Sequence, residues 1–421
     1  MAEPKQRRPA SSGNFEVESI SSHFLDSGAF TMWTTALTYA KENRCGEWEF
    51  YDTDEFHQYL ERYAKFIKRY HKGIDLYANV DALPFHRGSK PPPGKTSQEL
   101  SYRNQKLLEK LGVIPVPIIH NGTDVSEWVV QYVEDGYPLI GLGGMAGKRN
   151  RLSTTSWLDQ CFDCICVNGK PIVNTHGFGV TNFDYLLRYP WYSVDSTSWT
   201  KKGGFGQVLV PRYRNGRFVF TPGDLIRQGN TLQNNPAKFR PWTVYVSKEH
   251  RHRFNDTALH YLSLKGQDRA VIRKWFDELS IEVGTMDEDD LDGLLNDHNQ
   301  RRIVNLHYFE NLRASLILDR QDSNSLWRNR TEEGFGLYNM PKPNQPKTLL
   351  PMEVPEVSSP IIYYSGVASL ASLPEVVLGD RTNIMLTYHD FSNKNKPDSR
   401  FRRILRARGH KFKPTKKGKK K

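Results

Sequence analysis

Residues 171–199, PIVNTHGFGVTNFDYLLRYPWYSVDSTSW, read as one strand–helix–strand unit. PIVNTHGFG is a strand, NFDYLLRYP a helix, and YSVDSTSW a second strand. Moving outward, the same alternation recurs towards the N-terminus. HFLDSGAF (23–30) is strand-like, and DEFHQYLERYAKFIKRYHKG (54–73) repeats aromatic and aliphatic residues at helical spacing. IDLYANVD (74–81), helical SQELSYRNQKLLEKLG (97–112), strand VIPVPIIH (113–120), helical SEWVVQYVEDG (126–136) and strand YPLIGLGG (137–144) follow. Strict alternation of this kind predicts a parallel sheet with helices outside it, and so many units in one compact stretch favour a (β/α) barrel. Several strands end on a polar residue or glycine: Asp26, Asp81, His120, Gly143, His176 and Asp195. In a barrel all those ends converge on one face, where chemistry is done.

After Trp199 the character changes. GGFGQVLVPRYRNGRFVFTPG (203–223) reads as a hairpin turning at Asn215-Gly216. DTALHYLSLKG, DRAVIRKWFDELSI and RRIVNLHYFENLRASLI are expected to be helical, and residues 319–360, rich in Pro, Asn and Ser, to loop over the surface. PIIYYSGVASLASLPEVVLG (360–379) suits either helix or strand and is expected to pack on the body. The expected organisation is a flexible arm over 1–20, a barrel core over 21–225, a mainly helical extension over 226–400 that completes the barrel and contacts nucleic acid, and a disordered basic tail over 401–421.

The 421 residues carry a formal charge of +12, are 38% hydrophobic and have a mean hydropathy of −0.64. No apolar run is long enough to span a membrane and no secretory leader is evident, so a cytoplasmic location without membrane contact is expected. Eleven Lys or Arg and no acid lie between Phe401 and Lys421, and setting aside those eleven of the twelve net charges leaves a body near +1. An arm of that kind, including Arg402, Arg403, Arg406, Lys411 and Lys413, is the footprint of a polyanion binder: it supplies affinity for phosphates but reads no sequence.

Other motifs carry less. Gly141-Leu142-Gly143-Gly144-Met145-Ala146 matches a loose dinucleotide-binding pattern, but no prompt helix or later acidic strand end accompanies it. Its glycines still permit close approach of a ligand to the backbone. Cys161, Cys164 and Cys166 lie on a helix running into a turn and read as small buried hydrophobes. Glu288–Gly293 lacks the ligands of a calcium loop and reads as an acidic helix start. His250, His252 and His260 read as part of a surface basic stretch. No cofactor is expected. Asp26, in LDSGAF, and Asp195, in YSVDSTSW, stand out: two facing carboxylates can serve as nucleophile and acid/base at an anomeric carbon.

LDSGAF, IDLYANVD, VPIIHNG, LIGLGGMAG, HGFGVTNFDYLLRYPWYSVDSTSW and GGFGQVLVP, in that order, resemble the tRNA-guanine transglycosylase superfamily, and among its branches the phage and bacterial DNA-guanine transglycosylases that insert 7-deazaguanines. The resemblance covers roughly residues 24–210, with a fainter echo in NLHYFENLRASL. It implies an irregular TIM barrel that exchanges guanine for a 7-deazaguanine by double displacement. On the matching motifs, Asp195 would be the nucleophile and Asp26 the general acid and base. Asp81 would grip the Watson–Crick edge of the purine, and the backbone at Gly143 and Gly144 would contact the base. Two departures bear on the base pocket: His120 stands where the family has glutamine, and His176 stands where it has an apolar residue before Gly177-Phe178-Gly179. The family's tRNA enzymes carry a zinc held by three cysteines after the nucleophile and a late histidine. No cysteine follows Asp195 here and Val304 falls at the histidine's place, so activity without metal is expected.

These readings converge on a DNA-guanine transglycosylase with DNA and a 7-deazaguanine base as substrates; that it is encoded by a phage and protects phage DNA from restriction inside the host cytoplasm is what the resemblance alone implies. The alternatives are a tRNA-guanine transglycosylase, a non-catalytic nucleic-acid-binding barrel, and a glycoside hydrolase using the same two carboxylates.

Overall fold

A computed structural model of the chain describes residues 23–86, 88–145, 151–167, 170–229, 236–250, 260–287, 290–321, 361–364 and 384–387. The basic tail lies outside them, and so do most of 319–360 and the greater part of 360–379.

The fold is mixed α/β. Strands β1 (His23–Asp26), β2 (Leu76–Tyr77), β3 (Ile118–His120), β4 (Leu139–Gly143), β7 (Asn174–Gly177) and β8 (Ser193–Ser196) join β13 (Ile361–Tyr364) and β14 (Ile384–Thr387) in one sheet. Its order is β2-β1-β14-β13-β8-β7-β4-β3, and every pairing is parallel. The two outer members are themselves linked. Ala78, just past β2, makes a parallel bridge to Val116, just before β3, with Val116 N–H donating to Tyr77 O at 2.8 Å and Asn79 N–H to Val116 O at 3.0 Å.

The helices α1 (Ala29–Asn43), α2 (Asp54–Tyr70), α3 (Ser97–Lys110), α4 (Val125–Glu134), α5 (Arg151–Ile165) and α6 (Phe183–Arg188) occupy the connections between these strands. Local chemistry sets where they begin. The Thr53 hydroxyl accepts from Phe56 N–H at α2, Thr96 and Glu99 form a reciprocal capping box at α3, and Asp124 accepts from Ser126 N–H at α4. Along α2, Phe56, Tyr59, Leu60, Tyr63, Ala64, Ile67 and Tyr70 recur at helical spacing and are buried, which holds the helix on the sheet. Cys161, Cys164 and Cys166 are likewise buried among apolar neighbours, as small hydrophobes, and Cys166 opens β5 (Cys166–Val167), which pairs antiparallel with β6 (Lys170–Pro171) before β7.

The sheet separates two apolar clusters. The larger contains Leu25, Tyr77, Ile119, Ile140, Leu142 and Val194 together with helix residues. The smaller contains Phe24, Leu76, Ala78, Val116, Ile118, Leu139 and Tyr192, with Phe178 against it. Neighbouring residues such as Phe24 and Leu25 fall into different clusters because side chains alternate faces along a strand.

Several expectations need correction. Only β10 (Arg212–Arg214) and β11 (Arg217–Val219) form the hairpin, with Asn215 at φ 49° and Gly216 at φ 81° in the two-residue turn. QVLV is β9 (Gln207–Val210) and pairs antiparallel with β12 (Trp242–Tyr245), a partner more than thirty residues away that the local pattern could not reveal. Of 260–265, Tyr261–Ser263 forms a single 3-10 turn and the rest is not helical; the next helix begins only at Gly266. His260 is buried at its start, its Nδ1 accepting from Leu262 N–H, and is no surface phosphate ligand. The acidic stretch near 290 does not open a helix: Asp290 accepts from Thr285 N–H and Oγ1–H and closes a loop. The helices α7 (Ser198–Gly204), α8 (Pro222–Arg227), α9 (Gly266–Glu278) and α10 (His298–Gln321) complete the described structure, with α10 packed along α7 and β9. β14 lies in a segment the sequence reading passed over. Among the described residues no helix is long and apolar enough to cross a membrane.

Candidate active site

Because the sheet is parallel throughout, the C-terminal ends of its strands lie along one edge, and that edge carries the polar residues singled out above. Asp26 ends β1, His120 ends β3 and Gly143 ends β4; His176 and Asp195 sit one residue before the ends of β7 and β8. Asp81 follows β2 by four residues. Register places His120 beside Gly143, Gly141 beside His176, and His176 beside Ser193.

Two acid–imidazole pairs form. His120 Nε2 lies 2.7 Å from Asp81 Oδ2, and His176 Nε2 lies 3.6 Å from Asp195 Oδ1. The first approach is short but poorly aligned, so it is an electrostatic contact more than a directed hydrogen bond. His120 is 1% exposed, and its Nδ1 has no hydrogen-bond partner among the described residues. That nitrogen looks onto the two glycines: a Cβ added at Gly143 or at Gly144 would sit 3.5 Å from it. Gly144 has φ +73° and a Cβ there would come within 3.2 Å of Asn121 N, so both backbone and space require glycine. A buried, unpartnered polar atom facing a gap kept open by glycines suits a polar ligand.

Asp195 is fixed from a second direction by Gly179 N–H, which donates to Oδ1 at 2.6 Å. Gly177 serves packing: its Cβ position is filled by Val180 at 2.7 Å and Trp191 at 3.1 Å. Beneath the acids lies an aromatic floor the sequence reading missed. The His176 ring meets Phe24 at 4.6 Å and Phe178 at 4.4 Å, both edge-on, and a Cβ at Gly141 would strike the Phe178 ring at 2.5 Å. The small residue within LIGLGG was the available signal for that ring. Phe30, on the first turn of α1 and four residues beyond Asp26, is 66% exposed with its ring 5.5 Å from Trp33. An aromatic ring left in solvent on the helix that follows Asp26 is suited to stacking on a base.

Asp26 differs from its neighbours. Ser27-Gly28, with Gly28 at φ 78°, turns the chain from β1 into α1 and aims the carboxyl inward. Protein surrounds the carboxyl closely although part of the residue remains accessible to solvent. Burial pushes its pKa up to about 7; the Gly28 and Ser27 N–H groups oppose the shift, while the charges of Asp195 and Asp81 add to it. About half of the population therefore keeps the Asp26 proton at neutral pH, within the electrostatic reach of Asp195 and Asp81. That is the arrangement needed for one group to give a proton and later take one back.

Among the described residues no three His, Cys, Asp or Glu side chains cluster as metal ligands. The structural zinc that the resemblance brings with it does not fit this chain: its cysteines, at 45, 161, 164 and 166, all precede Asp195, and Val304 is buried in the core. Arg402, Arg403, Arg406, Lys411 and Lys413 lie outside the described residues. Comparison of the chain with protein-family models, with curated proteins and with solved structures finds no match in any of the three.

Proposed function

We propose that this protein is a DNA-guanine transglycosylase, an enzyme that replaces guanine by a 7-deazaguanine through a covalent aspartyl intermediate. The observation that carries the reading is the acid pair: Asp26, its pKa raised to about 7, feels the charge of Asp195 from a strand three places away in the sheet order. On a flat sheet three steps separate strands by roughly 14 Å. Phe24 and His176, on strands four places apart, nevertheless touch at 4.6 Å. Those contacts, with the Ala78–Val116 bridge between the outer strands, support an eight-stranded barrel closed on itself. In that barrel β13 and β14, from the C-terminal extension, fill the gap between β8 and β1.

In this mechanism an Asp195 oxygen attacks C1′, a C–O bond forms, and the C1′–N bond to guanine breaks with its electron pair passing to the base. Asp26 gives that base a proton as it leaves. The incoming deazaguanine then attacks C1′, the ester C–O bond breaks with its electrons returning to Asp195, and the proton of the new base goes to Asp26. Asp81 and His120 meet the base edge, Phe30 offers a stacking face, and Gly143 and Gly144 let the heterocycle approach the backbone. The anomeric carbon is reached only if the nucleotide is flipped out or already single-stranded. DNA is favoured over tRNA because the zinc ligands of the tRNA enzymes are missing. Action on phage DNA within a host, and protection from restriction, follow from the sequence resemblance.

The test is retention of labelled guanine by duplex DNA, single-stranded DNA and tRNA incubated separately with the protein. Label in DNA is expected, and its complete loss in Asp195→Ala with DNA binding preserved. Label confined to tRNA selects the tRNA enzyme, and no label in any substrate refutes base exchange.

A further inference from the structure

The acid pair does not by itself account for the imidazole buried beside it. His176 is fully buried, its Nδ1 is 2.8 Å from Ser193 Oγ, and Ser193 is fully buried as well. Phe24 and Phe178 hold the ring edge-on and resist any swing. Burial also pushes the imidazole pKa down, against the pull of Asp195, so the ring carries one proton near neutrality. A Ser193 hydroxyl that donates to Nδ1 places that proton on Nε2, the nitrogen facing Asp195. Asp195 Oδ1 then meets two donors, the Gly179 N–H at 2.6 Å and the His176 Nε2–H at 3.6 Å. The second distance exceeds a formed hydrogen bond and becomes one by a shift of roughly 0.6 Å, as catalytic contacts do when substrate binds.

We propose that His176, oriented by Ser193, is a positioning residue that fixes the rotation of the Asp195 carboxylate and stabilises its charge when the ester is resolved. This rests on the transglycosylase reading. In the first displacement Asp195 loses charge, so a donor on Oδ1 modestly restrains the nucleophile. In the second, the C1′–O bond breaks and the electron pair returns to the carboxylate, where the donor disperses it. Removing the donor therefore slows resolution more than formation, and the glycosyl-enzyme accumulates.

The experiment quenches wild type, His176→Leu, His176→Gln and Ser193→Ala with denaturant during turnover of end-labelled single-stranded DNA and saturating guanine, and measures label bound to protein alongside the exchange rate. His176→Leu is expected to exchange about ten- to a hundredfold more slowly while retaining more adduct than wild type, with His176→Gln, which keeps an N–H, partly restored. Ser193→Ala is expected to show a milder form of the same split. Wild-type adduct and rate in His176→Leu, or parallel loss of adduct and exchange in both His176→Leu and Ser193→Ala, overturns the role given to His176 and leaves base exchange standing. A wild type that neither exchanges guanine nor forms an adduct, with DNA or tRNA, removes both. Nitrogen chemical shifts of the His176 ring supply a readout independent of turnover: the Nε2–H tautomer is expected, and the Nδ1–H tautomer overturns the proposal.

Discussion

Asp26→Asn tests the electrostatic heart of the site without any substrate. The folded protein holds the Asp26 proton up to about pH 7, whereas the unfolded chain releases it near 3.8. Between those values the native state binds the extra proton, so the contribution of Asp26 to stability falls as pH rises and levels off above 7. Each pH unit is worth about 1.4 kcal/mol, and the full span of about 3 units comes to about 4 kcal/mol. Residual solvent access relaxes the charged form, which makes about 2 kcal/mol a reasonable lower bound. Asparagine has the same shape, keeps an oxygen for Gly28 N–H and is neutral throughout. The variant should match wild type near pH 4 and exceed it by about 2–4 kcal/mol at pH 8.5. Urea unfolding of the two proteins at pH 4.5, 6, 7 and 8.5 measures this, the contributions of the other acids cancelling in the difference. A stability difference that does not change with pH, or a variant less stable at pH 8.5, would refute a buried Asp26 that resists ionisation.

Three other outcomes follow from the same geometry. The carboxyl titration of Asp26, followed by NMR, should shift to lower pH in Asp195→Asn, since one of the two charges raising it is gone; an unmoved midpoint would separate the two aspartates. Guanine release in a single turnover should lose about tenfold per pH unit above about 7, as the Asp26 proton is lost, and a rate rising across that range would contradict its role as the acid. Deleting residues 401–421 should flatten the dependence of DNA affinity on salt, by a slope of about 0.9 for each phosphate contact removed, and an unchanged slope would show that the arm does not touch the backbone.

Much of the site was legible in the sequence because strand ends in an α/β pattern are marked locally. Asp26 before Ser27-Gly28, His120 before Asn121-Gly122 and Gly143 before Gly144 each combine an apolar run with an abrupt polar or glycine stop, and all three end strands. β14 escaped notice because four residues of a short parallel strand carry no periodicity of their own. The partner of β9 escaped because antiparallel pairing over a long connection leaves no trace in either segment. Phe178 escaped because its place is defined by an absent side chain on another strand, at Gly141.

Taken alone, the sequence determined the alternation of strands and helices, the cap residues that start α2, α3 and α4, and the residues that the strand ends would present. Each depends on neighbours within a few positions, where backbone sterics and side-chain periodicity act. Only the tertiary structure decided that Asp81 meets His120, that Ser193 and Asp195 bracket His176, and that Asp26 keeps its proton near neutrality. A pKa and an ion pair arise from desolvation and charge summed over everything nearby in space. What lies nearby is set by how the chain folds in space, which lets Asp26 feel the charges of Asp195 and Asp81 from distant parts of the sequence.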